Sequence, residues 1–363
     1  MFSWLGKTEV DLIDELCKKI CTNNTKDGEL KQLSVLFKVR FVKKLGRILY
    51  PFPYLRPHTR TIEIKIGWID KIPVARHSHF TQATELGDAV FFAFDEVINP
   101  ITGLSVSFDA RALIVQAKIA DSYAQLKNPT VPIASARNKN STERELYLLE
   151  GWPKFNLFKT GKSDSTKPYR TSIELNPVGT PPPLPYGWYI AAPKGKKMKS
   201  SLQMAWPSWW MAAPAINRYS CNITFGSLLV SFFTGKPNGN LPHHLEVGKK
   251  TVWNYRTGLP AGASDWDKLC SDIYQILLEN SPPQSLFTKK EEDKRIITIL
   301  KRISSFDRLL RKTSIAHNAI KLYYYYFNKE ITYDFIPPKG SISGKIPVFI
   351  VKSTQISPDE GAD

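Results

Sequence analysis

The chain has 363 residues, with 50 Lys+Arg against 33 Asp+Glu, a formal charge of +17. Its 42% hydrophobic and 23% charged content excludes extended disorder, and a chain of this length buries enough surface to fold without disulfides or structural metals. The positive excess attracts polyanions whatever their sequence, and nucleic acid is the commonest large one in a cytoplasm.

In chain order, the first segment, MFSWLGKTEVDLIDELCKK, carries Glu9, Asp11, Asp14 and Glu15 where a signal peptide keeps an apolar core. No run reaches the ~18 apolar residues of a membrane span. The four cysteines, Cys17, Cys21, Cys221 and Cys270, form no CxxC pair, a pattern of reducing compartments. A cytoplasmic protein without a membrane segment is expected. Residues 9 to 48 read as helical: Leu12, Ile13, Leu16 and Ile20, then Leu33, Leu36 and Phe37, recur at three- and four-residue spacings. Asn23, Asn24 and Gly28 break that run, and Pro51, Pro53 and Pro57 stop it. From Thr61 the period becomes two, as in a half-buried strand.

Ala89 to Phe94 and Ala112 to Ile119 are apolar on both faces, which indicates central strands covered by helices. Asn99 to Gly103 between them has turn chemistry, so the two should form an antiparallel hairpin. Helices are expected from Ser122 to Lys127 and from Thr142 to Leu149, the latter with cap residues Ser141 and Thr142 and with Glu143 and Glu145 in its first turn. Asn176 to Pro185 is a proline-rich loop. Ser264 to Asp267 cap a helix that runs to about Asn280. A long basic helix spans about Lys289 to Phe327, and Ile346 to Val351 reads as a last strand. The class is α/β or α+β. Length suggests about two domains: residues 1–160 as the core and 161–363 as a basic, Trp-rich region whose final strand can return to the core.

The segment from Glu85 to Lys118 carries the chemistry. With a turn centred near Thr102, residues whose numbers sum to about 204 pair across the hairpin, and opposed residues share a face. Asp88 then faces Gln116, Lys118 lies two residues further on the same side, and Glu85 stands at the entry to the first strand. A lysine within an apolar central strand is costly to bury without a partner. A carboxylate, a second oxygen ligand and a lysine at one sheet edge suit Mg²⁺-assisted phosphodiester hydrolysis, because Mg²⁺ needs only one or two carboxylates beside waters and phosphate.

At these residues the chain resembles the PD-(D/E)XK, or restriction-endonuclease-like, nuclease superfamily. Asp88 matches the first acid of its motif, and Gln116 with Lys118 matches the final (D/E)-x-K as QxK, similar to the Mrr-type branch. ELGD, QAK and the later RELYLLEGWPKF (Arg144 to Phe155) are similar to an uncharacterised bacterial subfamily. The resemblance covers about Thr61 to Ala120. It implies a restriction-endonuclease-like mixed sheet flanked by helices, with a further C-terminal α+β region. It also implies a Mg²⁺- or Mn²⁺-dependent DNA endonuclease in anti-phage defence, with a companion defence protein as a partner and oligomerisation left open. Gln116 costs the site a negative charge, so a further acid is needed. Glu29, on an early helix, Glu63 and Glu85 are the three alternatives.

Between Ile190 and Pro260, nine basic residues face a single acid, Glu246. Lys194, Lys196, Lys197 and Lys199, with Arg218, Lys249 and Lys250, are the candidates for DNA-backbone contacts. Trp206, Trp209, Trp210 and Trp253 lie among them and read as core slightly more than as base-stacking groups. Tyr323 to Tyr326 read as core or interface packing. His77 with His79 and His243 with His244 lack the spaced partners of a zinc site and read as surface or loop histidines. Cys17 and Cys21 read as small core residues. No GxSxG, GxxxxGK[ST] or GxGxxG word occurs. A non-catalytic nucleic-acid binder and a structural assembly protein are the rival functions.

Overall fold

The structure is a computed structural model and describes residues 1–21, 29–50, 60–69, 73–99, 104–120, 129–133, 139–159, 167–193, 207–280 and 346–356. The helix expected over 122–127, the basic helix over 289–327 and the tyrosines at 323–326 lie outside them.

The N-terminal helical region folds as α1 (Lys7–Cys21), α2 (Glu29–Leu33), a 3₁₀ turn (Ser34–Phe37) and α3 (Val39–Leu49). At the start of α1 the Glu9 carboxylate accepts from the Gly6 N–H at 2.7 Å, so a side chain satisfies an orphan donor there. Twelve strands follow: β1 (Arg60–Ile69), β2 (Val74–Arg76), β3 (Thr84–Glu85), β4 (Ala89–Ile98), β5 (Ser105–Ala120), β6 (Phe155–Phe158), β7 (Arg170–Ile173), β8 (Gly187–Pro193), β9 (Met211–Pro214), β10 (Ile223–Thr224), β11 (Lys249–Thr251) and β12 (Ile346–Ile356). Among them run α4 (Lys139–Gly151), α5 (Phe225–Thr234) and α6 (Asp265–Asn280).

The main sheet has eight strands in the order β1-β12-β4-β5-β8-β9-β10, with β11 pairing against β5 beside that path. It is mixed: β12 runs parallel to β4 and β8 parallel to β5, while the β4–β5 hairpin is antiparallel. The protein is therefore a mixed α+β structure with a multi-strand sheet flanked by helices. Strands from both sides of residue 160 share this sheet, and β12 is inserted between β1 and β4. A second sheet of four strands has the order β3-β2-β6-β7.

The two-sided apolarity of β4 has its reason in the layers on each face. Phe91 packs with Phe37, Phe349 and, from α5, Phe232, with ring centroids 5.5 to 6.5 Å apart. Phe92 and Phe94 face the other way and meet Trp253, while Phe92 also meets Tyr274 of α6. Helix α6 starts as its sequence indicates. The Ser264 and Asp267 side chains satisfy each other's N–H groups, Asp267 Oδ2 accepting from Ser264 N at 2.9 Å and Ser264 Oγ accepting from Asp267 N at 3.3 Å. Trp209, Trp210 and Trp253 are buried, as the core reading requires. All four cysteines are buried and free.

Two charged devices hold distant chain segments to the sheet. Glu96 of β4 is wholly buried and pairs with Lys352 of β12 at 2.8 Å and Arg256 at 3.2 Å. Buried Arg111 of β5 donates to Glu246 and to the Gly248 carbonyl, both at 2.8 Å. Arg256 and Glu246 are more than 40% exposed, and Glu96 and Arg111 each have a further partner, so losing Arg256 or Glu246 costs less than breaking a fully buried pair.

Candidate functional site

The site lies where β4 begins and β5 approaches its end. Ala89 pairs with Val115, and the Asp88 N–H donates to the Val115 carbonyl at 2.9 Å, which carries the ladder one residue further and sets Asp88 opposite Gln116. This is the register expected from the turn. Gly87 makes it sterically feasible: a Cβ there would stand 2.5 Å from Ile114 Cγ2 and 3.2 Å from the Val115 oxygen. The glycine of ELGD is thus a close-approach residue that seats the aspartate after it.

Asp88 Oδ2 accepts from the Gln116 side-chain amide and from the Ala117 N–H, the latter at 2.9 Å. Lys118 Nζ lies 2.8 Å from Glu145 Oε2 on α4 and 3.7 Å from Glu29 Oε1 on α2. Ser141, one turn before Glu145, donates to its Oε1 at 3.0 Å. Asp88, Gln116, Lys118 and Glu145 are buried, Glu29 is partly covered and Glu85 is exposed, so the cluster opens to solvent beside those two acids.

The electrostatics follow from too many carboxylates around one ammonium. Burial raises the Glu29 and Asp88 carboxyls, and Lys118 opposes that rise without cancelling it. The two acids also act on each other: the Asp88 charge helps to raise Glu29. Glu85 is pushed up to about 7, by desolvation first and by the Asp88 and Glu145 charges next. Burial alone would lower the Lys118 ammonium, but Glu29, Asp88 and Glu145 together outweigh it and the pKa rises above its ordinary value.

A pH dependence results. Carboxyls raised on folding make the native state bind more protons than the unfolded chain, so stability falls as pH rises through that range. Lys118 is charged in both states below its ordinary pKa of 10.5 and so contributes no slope there. We expect the metal-free protein to lose about 2–3 kcal/mol between pH 5 and pH 8, read from urea midpoints, with Glu29→Gln flattening the dependence. Superimposable pH profiles for Glu29→Gln and wild type would show that Glu29 holds no extra proton.

Of the three candidate extra acids, Glu29 reaches Lys118 and Asp88, and Glu85 feels the Asp88 charge. Glu63 is not brought there. It pairs with Lys352, which is level with Phe94, so the register sets its backbone two strands over and about 20 Å along the sheet from Asp88. The sequence reading missed two members. Glu145 served it only as a helix-start signal, although Glu145 lies within the RELYLLEGWPKF word. Tyr189 faces Gln116 across the β5–β8 ladder. Its hydroxyl is buried with no partner among the described residues, and burial, then the Glu145 and Asp88 charges, hold its pKa well above the usual range.

The candidate DNA contacts fare differently. Lys194, Lys196, Lys197 and Lys199 lie outside the described residues. Arg218 is exposed. Lys249 and Lys250 pair with Ala112 and Arg111, about 20 Å along β5 from Lys118, and are within ion-pair distance of Glu246 and Asp109. A group of positive side chains that composition alone did not single out gathers on α3 beside the end of α1. There the Lys44 pKa is lowered by burial first and then by Arg40, Lys19 and Arg47. His243 and His244 are exposed, as expected, but His77 is buried against the rings of Phe80 and Tyr147, because the chain after β2 folds back over α4.

Among the described residues, no set of three or more His, Cys, Asp or Glu side chains is arranged to hold a metal ion by itself. The donors nevertheless suit Mg²⁺, which takes one or two carboxylates and completes its shell with water and phosphate. Asp88 and Glu29 both lie close to Lys118, and the Gln116 carbonyl oxygen is buried with no partner among the described residues. An unpaired buried oxygen beside two carboxyls has the donor chemistry that a hard cation accepts. No helix among the described residues is long and apolar enough to cross a membrane. Compared with family models, with curated proteins and with solved structures, the chain matches none of them.

Proposed function

We propose that this protein is a Mg²⁺-dependent phosphodiesterase acting on DNA, an endonuclease of the restriction-endonuclease-like kind. The observation that carries the proposal is the convergence of Asp88, Gln116 and Lys118 with Glu29 at the end of the β4–β5 hairpin away from its turn. Asp88 and Glu29 would hold the ion, with the Gln116 carbonyl as a neutral third ligand. When bound, the ion supplies positive charge to a scissile phosphate and makes a nearby water more acidic. Lys118 keeps its proton throughout, so its part is to balance the carboxylates and stabilise charge that builds on the phosphate oxygens. Glu145 and Ser141 hold the ammonium in position. Glu85, at the open side with a pKa near 7, is placed to exchange protons with water at neutral pH. The chain charge of +17, with Lys19, Arg40, Lys44 and Arg47 near one another, would draw the DNA backbone.

Plasmid DNA incubated with the purified protein and Mg²⁺ should be nicked or linearised, and EDTA should stop the reaction. The rival reading is a non-catalytic binder, which Gln116 favours by lowering the charge available to a metal. It gives salt-dependent DNA binding with no turnover under any divalent ion, and that result would replace the nuclease reading.

A further inference from the structure

Next to the carboxylate cluster stands a group of aromatic rings for which the proposed chemistry has no use. His79 and Tyr147 stack with ring centroids 4.5 Å apart and planes 10° from parallel. His77 lies 5.3 Å from Tyr147 at 26°, and Phe80 meets all three edge-on, at 4.7 to 5.3 Å. His79 is exposed and Tyr147 is 38% exposed, so a stacked pair of rings is presented to solvent. His77 beside them is 8% exposed, and neither of its ring nitrogens has a hydrogen-bond partner among the described residues. Buried polar atoms are normally paired, so an unpaired imidazole within a ring cluster points to a ligand with donors and acceptors on its own edge.

The position narrows the ligand. Tyr147 follows Glu145 by two residues on α4, which sets it about 3 Å along the axis and on the outward face of the helix. His77 follows Val74 by three residues, and Val74 pairs with Glu85 at the mouth of the cluster. The rings therefore begin about 10 Å along the chain from the mouth of the cluster, on the order of three nucleotides away at about 3.4 Å each. A planar group with a hydrogen-bonding edge, joined to a phosphate at that distance, is a nucleobase. Every base has a face that stacks on aromatic rings, and one that is already unpaired costs least to seat.

We propose that His79 and Tyr147 form a stacking platform for one unpaired base of a DNA strand, with the ring nitrogens of His77 meeting the edge of that base. This inference rests on the DNA-cleaving reading of the neighbouring site, and it adds single-stranded or locally opened DNA as the substrate form. Both platform residues are exposed, so their replacement should leave the fold intact.

The test uses the full chain in EDTA with a single-stranded oligonucleotide carrying 2-aminopurine, whose fluorescence falls on stacking. Wild type and Tyr147→Phe should quench it. Tyr147→Ala and His79→Ala should bind about tenfold more weakly with the quench lost. Equal affinity and equal quench in the double alanine variant would overturn the proposal. If wild type ignores the oligonucleotide yet cleaves duplex plasmid, the platform is refuted and the nuclease reading stands. If it neither binds the oligonucleotide nor cleaves plasmid, both fall together.

Discussion

Lys118→Ala is expected to reduce plasmid cleavage by about a hundredfold to a thousandfold, the usual effect of removing one preorganised charge from a phosphoryl-transfer site. The same change should alter stability in a pH-dependent way. Lys118 is buried 2.8 Å from Glu145 and 3.7 Å from Glu29, and its loss leaves carboxylates with no cation to face. Stranding a buried charge costs about 3–5 kcal/mol when the charge must stay ionised. Here the acids can take up protons instead, so the penalty should be large at pH 8 and small at pH 6. Circular-dichroism melts at both values separate this from general misfolding, and cleavage should be measured where the variant is folded. Activity equal to wild type in a folded Lys118→Ala protein would remove the case for this site.

Asp88→Asn should abolish cleavage and also remove the response of the fold to Mg²⁺. An ion that binds only the native state stabilises it by RT ln(1 + [L]/Kd), about 2.7 kcal/mol at a hundredfold excess over Kd. For wild type at pH 8 this should raise the melting temperature by several degrees. Asparagine keeps an oxygen for the Ala117 N–H and the size of the side chain, so the hairpin should survive. It lacks the charge, and Mg²⁺ should no longer shift the melt. An equal Mg²⁺ shift in variant and wild type would show that any bound ion sits elsewhere, whatever the cleavage assay reports.

How much of this was legible beforehand varies with sequence separation. The pairing of Asp88 with Gln116 was accessible because a hairpin is a local object. Its turn chemistry and the two-residue alternation of its strands leave one register that buries both apolar faces. The start of α6 was equally accessible, since Ser264 and Asp267 satisfy each other within one turn. The glycine before Asp88 has meaning only in three dimensions, where Ile114 and Val115 occupy the space of its missing side chain.

The rest depended on contacts that no short window contains. Three acids were equivalent in the sequence. Packing of α2 against β5 brought Glu29 to Lys118, while insertion of β12 between β1 and β4 carried Glu63 away. Glu145 reached the same ammonium because α4 packs against β3 and against β8, the parallel neighbour of β5. The ring cluster was hidden for the same reason, its members being split between the segment after β2 and α4. Strand period, turn type and helix caps are set by neighbours a few residues apart, so composition and spacing were enough to place the hairpin and its three polar residues. Which carboxylates surround the lysine, and which rings stand beside them, is decided by the docking of segments 27 to 89 residues distant, where the packing of whole layers against the sheet selects the partner.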